Sequence, residues 1–356
     1  MEYDILKLED IIVLEDKKRK PLSTIERSKR KGIFPYYGAQ EIIDYIDDYI
    51  FDDRYILLAE DGENLKSRKK DLVKIVEGKF WLNNHAHIFK TMEEFDLDFV
   101  YYSLLRMDLD EYITGSTQPK LNQENMNKIL IKIPKYEIQK KISKILSNID
   151  NKIKINNEIN NNLYEEAVAI YKDKFLGIEH GDKTIGEYLI PKRGKNLLTR
   201  DAGDGDIPVV AGGIEPSTYH NQFNTHSPVI TISASGANAG YTNLWEIPVW
   251  ASDCSYIDDT ITQSVYFWYI VLKTRQKEIF DSQTGSAQPH IYPQHIADMP
   301  IDELDIEEVI NYNILVEPLF KMIGNNMKEN NQLVKLRDTL LPKLMNGEID
   351  LDNIEI

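Results

Sequence analysis

A chain of 356 residues, 42% of them hydrophobic, carries enough apolar material for two cores, which excludes global disorder. Its formal charge of −16 argues by itself against a nucleic-acid partner, but the basic residues are clustered, and local patches are what meet phosphates. A single cysteine, Cys254, excludes an intrachain disulfide and a multi-thiolate metal site, and no stretch approaches the roughly 20 apolar residues of a membrane span.

The first residues, MEYDILKLED, place acids where a secretion signal needs bases and an apolar run, so the expected location is cytoplasmic. Residues 17–31, KKRKPLSTIERSKRK, hold eight Lys or Arg against one Glu. Lys17, Lys18, Arg19, Lys20, Lys29, Arg30 and Lys31 are therefore candidate DNA contacts, with solvated surface as the alternative. YILLA and DLVKIV read as strands. Between them lies a second basic run, with candidates Lys66, Arg68, Lys69 and Lys70. His85 and His87 in NNHAH would share one face of a strand, but no third metal ligand is evident, and a structural role is favoured. An aromatic-rich segment, FVYYSLL, precedes T-G-S-T-Q-P and a long helix at 137–175.

The third basic run supplies Lys192, Arg193, Lys195 and Arg200. Gly203 and Gly205 form a lone G-x-G ahead of a strand, the wrong order for a cofactor loop, and are read as a turn. SPVITISA and IPVW are strand-like. Ser233, Ser235, Asn238 and Tyr241, in the glycine-rich TISASGANAGYTN, either read bases or form a plain hairpin. YFWYIVL, T-G-S-A-Q-P and a helix at 307–345 complete the chain.

This order of features is a repeat. T-G-S-A-Q-P matches T-G-S-T-Q-P at five of six positions, and Thr284 follows Thr114 by 170 residues. ILLAEDG pairs with ITISASG, and Trp81 with Trp250. Both helices carry apolar stripes, Ile138, Ile142, Ile145, Ile149, Ile159, Leu163 and Ile170 in the first, and Leu315, Leu319, Ile323, Leu333, Leu336 and Leu340 in the second. Each stripe needs a partner, and the economical solution is an antiparallel pair. Asn156 and Asn326 interrupt the stripes at equivalent places and at the two helix midpoints. They are candidate register residues expected to meet across the seam, with a local kink as the alternative. Helices of this length span about 57 Å, more than one DNA turn of about 34 Å.

T-G-S-x-Q-P is either a tight connection from domain to helix or a phosphate clamp. The clamp would use Thr114, Ser116, Gln118 and Lys120 in the first copy, and Thr284, Ser286, Gln288 and His290 in the second. Catalytic motifs are wanting. There is no Pro-Pro pair for a methyltransferase tetrapeptide, and neither Gly78-Lys79 nor Gly194-Lys195 continues into a Walker loop. Glu77-Gly78-Lys79 with Asp61 mimics part of a nuclease pattern, a cheap match in so charged a chain. The expectation is no catalytic residue, no cofactor and no metal.

PYYGA, IDYIDDYIFDDRYILLAEDGENL, NNHAHIF, TGSTQPKL and IPKYEIQKKISKILSNID, in that order, resemble the first half of type I restriction–modification specificity subunits. IPVVAGG, VITISASGANAGYTN, WASDCSYI and TGSAQPHI resemble the second half, and KLRDTLLPKLMNGEIDL resembles the C-terminal end. The resemblance implies an α+β fold with a pseudo-two-fold repeat. Two mixed α/β target recognition domains, 1–134 and 178–304, would alternate with a central helical region, 135–177, and a distal one, 305–356, the helices forming an antiparallel coiled coil. It implies a non-catalytic subunit that reads a bipartite, asymmetric site on double-stranded DNA. Methyltransferase subunits, two of them, would dock on it, and restriction and translocase subunits would join through the complex. The alternatives are a coiled-coil scaffold that never touches DNA, and a stand-alone nuclease or methyltransferase.

Overall fold

A computed structural model describes residues 3–39, 41–115, 118–285 and 288–351. The fold is mixed helix and sheet, as expected, and the chain divides into two compact units. The first is Met1–Lys152 with Leu333–Ile356, and the second is Ile153–Gln332.

The first unit contains β1 (Asp4–Lys7), β2 (Ile12–Leu14), α1 (Thr24–Ser28), β3 (Lys31–Tyr37), β4 (Ile42–Ile46), β5 (Phe51–Asp52), β6 (Tyr55–Ala59) and α2 (Asn64–Ser67). It continues with β7 (Val73–Val76), β8 (Lys79–Leu82), β9 (Ala86–Thr91), α3 (Leu97–Leu105), α4 (Gln123–Asn127), β10 (Leu130–Ile133) and the start of α5 (Tyr136–Lys174). Its sheets have the strand orders β2-β9-β6-β7, β4-β3-β8-β5 and β1-β10. The pairings are antiparallel except β3 with β8, which run parallel.

The second unit contains β11 (Lys183–Thr184), β12 (Lys192–Arg193), β13 (Ile207–Val210), β14 (Thr218–His220), β15 (Val229–Ser233), β16 (Thr242–Trp245), β17 (Trp250–Ala251) and β18 (Cys254–Ile257). Then come α6 (Val265–Thr274), α7 (Gln276–Asp281), α8 (Pro293–Ala297), β19 (Pro300–Ile301) and most of α9 (Ile306–Met345). Its strand orders are β12-β18-β15-β16, β14-β13-β17 and β11-β19, with β13 and β17 parallel. The repeat read from the sequence is thus a repeat of topology.

Local chemistry explains the elements. All five residues of β6 are buried, as are all five of β15, so each reads as an apolar or β-branched run, ended in β15 by Ser233, between two paired neighbours. Asp96 caps α3 by accepting the Phe99 N–H at 2.9 Å. Val265–Leu272 of α6 are all buried, which is why that helix has no polar face.

The two long helices, placed at 137–175 and 307–345 by the sequence, run Tyr136–Lys174 and Ile306–Met345. They pack antiparallel. In the second unit Asn156 meets Asn330, Asn160 meets Asn326, and Tyr312 donates to the Ala167 carbonyl. In the first unit Arg337 binds Asp150, and Lys141 donates to the Leu351 carbonyl. Two expectations need correction. Leu315 and Leu336 are 52% and 47% exposed. In the second unit the fully buried face of α9 is Val309, Tyr312, Val316 and Phe320, because Tyr312 and Phe320 pack on Phe175 and Tyr266, while Leu319 and Ile323 of the expected stripe are partly buried against the same core. Asn156 and Asn326 do not bond to each other: Asn156 donates to Glu329 and Asn330, and Asn326 to Asn160. The register lies one helical turn away from the one the midpoints implied, since the repeat offset does not dictate how antiparallel helices slide.

Candidate nucleic-acid interface

In the first unit three segments converge at one end of the β2-β9-β6-β7 sheet: the chain after β2, the chain after β6, and the segment closed by Thr114 and Lys120. Arg19 is the hub. Its guanidinium donates to Glu60 Oε2 at 2.7 Å and to the Ala86 carbonyl at 2.6 Å, and lies 3.1 Å from an Asp16 carboxylate oxygen. His87 is 1% exposed, with Nδ1 2.6 Å from Asp16 and Nε2 2.8 Å from the Leu121 carbonyl. Lys120 reaches Glu60 at 3.2 Å. Burial works to raise the Glu60 pKa, but the Arg19 hydrogen bond, His87 and Lys120 hold it below the ordinary glutamate value. Asp16, Glu60 and His87 sit within metal-chelating distance of one another. Both ring nitrogens and both carboxylates are engaged by protein groups, so the cluster is a salt-bridge network.

The T-G-S-T-Q-P segment is closed at its two ends. Thr114 and Lys120 exchange two backbone hydrogen bonds, 2.9 and 2.8 Å long. Gly115 has φ +87°, and a Cβ there would lie 2.2 Å from the Gln118 carbonyl, so only glycine fits. The segment is not the connection from domain to helix: α4 and β10 intervene before α5. Thr114 and Gln118 are exposed, and Ser116 lies outside the described residues.

The second unit repeats this arrangement with other residues. Thr284 and His290 exchange backbone bonds of 3.0 and 2.8 Å around Gly285, whose φ is +94°. His290 Nδ1 is 2.8 Å from the Gln288 carbonyl, and its ring stacks on Tyr292. Asp253 accepts from Arg193 at 2.7 Å and from Ser235. Thr284 and Gln288 are exposed, and Ser286 lies outside the described residues. By strand register the counterpart of His87 is Ser255, since Leu58 faces His87 and Ile232 faces Ser255.

Many candidate contacts are committed to the fold. Arg19 is largely buried and is corrected to a structural residue. Ser233 is 2% exposed and donates to the Gly213 carbonyl, so it reads no base. Tyr241 lies under the Lys273 ammonium at 4.4 Å, and Asn238 accepts the Tyr241 N–H, which makes that loop a turn between β15 and β16. Lys18 pairs with Glu15, Lys31 with Asp44, Arg68 with Asp110 and Lys70 with Glu41. Arg30 pairs with Asp47 and lies over the Trp81 ring. Lys192 donates to Thr260, and Arg200, 81% exposed, has Asp201 at 3.7 Å. Lys66 is exposed at α2. Among the described residues, Lys17, Lys20, Lys29, Lys69 and Lys195 are exposed with no carboxylate within ion-pair distance.

Sequence reasoning paired the two tryptophans but gave them no role. Trp81 donates its indole N–H to the Lys20 carbonyl at 2.6 Å, and Trp250 donates to the Lys195 carbonyl at 2.9 Å. Their alignment in the repeat was the signal.

Residues 1–165 match the family model for the type I restriction modification DNA specificity domain. A putative type I restriction enzyme specificity subunit of Haemophilus influenzae is 29% identical over 228 residues, 60% of this chain and 57% of that protein. The alignment thus spans little more than half of that relative. A type I restriction enzyme specificity subunit of Methanocaldococcus jannaschii is 26% identical over 302 residues, 72% of this chain and 70% of the relative. The crystal structure of a type I restriction–modification S subunit from M. genitalium superposes with a TM-score of 0.61 at 19% identity, covering 97% of this chain and 96% of that one, which supports the fold. A repeat of topology, with Thr114–Lys120 and Thr284–His290 closed by the same backbone pairing, accompanies these matches: the chain is similar to type I restriction–modification specificity subunits in sequence, and to one of them in fold.

Proposed function

We propose that this chain reads a bipartite DNA site and assembles a type I restriction–modification complex without catalysing a reaction itself. The observation that carries the reading is the duplication. Each unit builds one polar sheet end from the same three segments, but with different side chains, as two readers of two different half-sites require. Recognition domains at 1–134 and 178–304, with helical regions at 135–177 and 305–356, are the corresponding division of labour. Two methyltransferase subunits docked on the helical regions would supply the cofactor chemistry, and restriction and translocase subunits would join through that complex. No helix among the described residues is long and apolar enough to cross a membrane, in keeping with a cytoplasmic assembly.

The test has two arms. The purified chain, free of partners, is expected to neither methylate nor cut DNA with metal, ATP or S-adenosylmethionine added. Assembled with methyltransferase subunits, it is expected to bind its target with steep salt dependence. Turnover by the chain alone, or a complex whose DNA binding is indifferent to salt, would overturn the proposal.

A further inference from the structure

We infer that Lys20 and Lys195 are equivalent DNA-phosphate contacts, one per unit, and that Trp81 and Trp250 are their positioning residues. The inference rests on the DNA-reading function proposed above.

Both lysines follow the edge strand of a four-stranded sheet, β2 in one unit and β12 in the other. Both tryptophans come from the strand that runs parallel to its neighbour, β8 and β17. In each unit the indole N–H is spent on the lysine's own carbonyl. The indoles are themselves gripped: the Arg30 guanidinium lies 4.8 Å over the Trp81 ring, and the His220 ring meets Trp250 edge-on at 5.1 Å. The neighbouring backbone is pinned as well. Arg19 is anchored by Asp16 and Glu60, and the Leu22 N–H donates to the Tyr36 hydroxyl at 2.8 Å. On the other side, Lys195 N–H donates to the Ala251 carbonyl, and Gly194 N–H to the Cys254 carbonyl.

The clamp therefore holds the main chain while leaving an exposed ammonium without an ion-pair partner among the described residues. Their neighbours Lys18, Arg19 and Arg193 are, by contrast, neutralised within the fold. The flanking sequences, Arg-Lys-Pro and Gly-Lys-Asn, share only the lysine, and the two connections differ in length, yet the clamp is the same. A fixed backbone lowers the ordering cost of bringing a point charge to a phosphate, so presentation of the ammonium is what the repeat preserves.

The experiment uses the full chain assembled with its methyltransferase subunits, with fluorescence anisotropy on target and unrelated duplexes. A lost phosphate contact lowers the salt slope by about 0.9, so between 50 and 200 mM salt Lys20→Gln and Lys195→Gln should each lose about 3.5-fold less affinity than wild type. The change should be equal on both duplexes, because a phosphate contact carries no sequence information. Trp81→Phe keeps an aromatic ring and removes the N–H. It should weaken binding, and Lys20→Gln added to it should cost less than in the wild-type background, which a merely structural tryptophan would not produce. A wild-type slope in either lysine variant, or an undiminished Lys20→Gln effect in the Trp81→Phe background, overturns the inference while specific binding by the wild type leaves the proposed function standing. Absence of DNA binding by the wild-type complex overturns both.

Discussion

Arg19 and Lys20 are adjacent in one basic run, yet Arg19 is held by Asp16 and Glu60 while Lys20 is exposed with no ion-pair partner among the described residues, so Arg19→Met is the sharpest perturbation. Methionine preserves the aliphatic stem of a side chain that is 13% exposed, while removing the guanidinium held by Asp16, Glu60 and the Ala86 carbonyl. The variant leaves two carboxylates within reach of each other, with His87 and Lys120 as their remaining cationic or hydrogen-bonding neighbours. Breaking a buried ion pair from one side costs about 3–5 kcal/mol. That is a large share of the roughly 5–15 kcal/mol that holds a domain together. Peptide-resolved hydrogen exchange should show lost protection in β2, β6 and β9, with the second unit unaffected. The acid limb of stability should change too. Glu60 is held below its ordinary pKa, so its contribution is present above the unfolded carboxyl value and is lost as pH falls through the folded value. Arg19→Met should remove most of that acid sensitivity. Unchanged protection together with a flattened salt dependence of DNA binding would refute this reasoning and return Arg19 to the phosphate contacts.

Further predictions concern the seam and the second unit. Asn156 is 1% exposed and donates to Glu329 and Asn330, so Asn156→Leu should cost about 1–3 kcal/mol in thermal or urea unfolding, and Asn156→Leu with Asn330→Leu should recover much of it. Glu246 is raised above the ordinary glutamate value by burial, and its Oε1 is buried with no hydrogen-bond partner among the described residues. Glu246→Gln should therefore raise the melting temperature at neutral pH, and the gain should vanish as pH falls through the folded pKa and the wild-type carboxyl protonates. Burial pushes the Cys254 thiol up to about 12, so iodoacetamide at pH 8 should label it only after unfolding, as mass spectrometry will read.

What the sequence revealed follows from how local each signal is. Repeats, buried strands and helix periodicity are carried by neighbouring residues, so T-G-S-x-Q-P, YILLA and VITIS disclosed the duplication and its core strands. The state of a cation depends on what folds against it: Arg19 meets Glu60 across 41 positions, and Lys20, one residue on, meets no carboxylate among the described residues. Ser233 looked available in a glycine-rich stretch, yet β15 is an inner strand of its sheet. A stripe sought in Leu and Ile passed over Tyr312 and Phe320, whose partners are aromatic rings on α5 and α6. Helix existence was legible, and helix register was not, because equivalent repeat positions say nothing about antiparallel sliding.

The central claim, that two independent readers of DNA share one chain, is tested most directly by mapping methylated sites made by the assembled complex before and after 1–134 is replaced by the corresponding domain of a relative. The account predicts a two-part recognition sequence in which the exchange alters one part and leaves the other intact. A single undivided sequence, or both parts changing together, would contradict it.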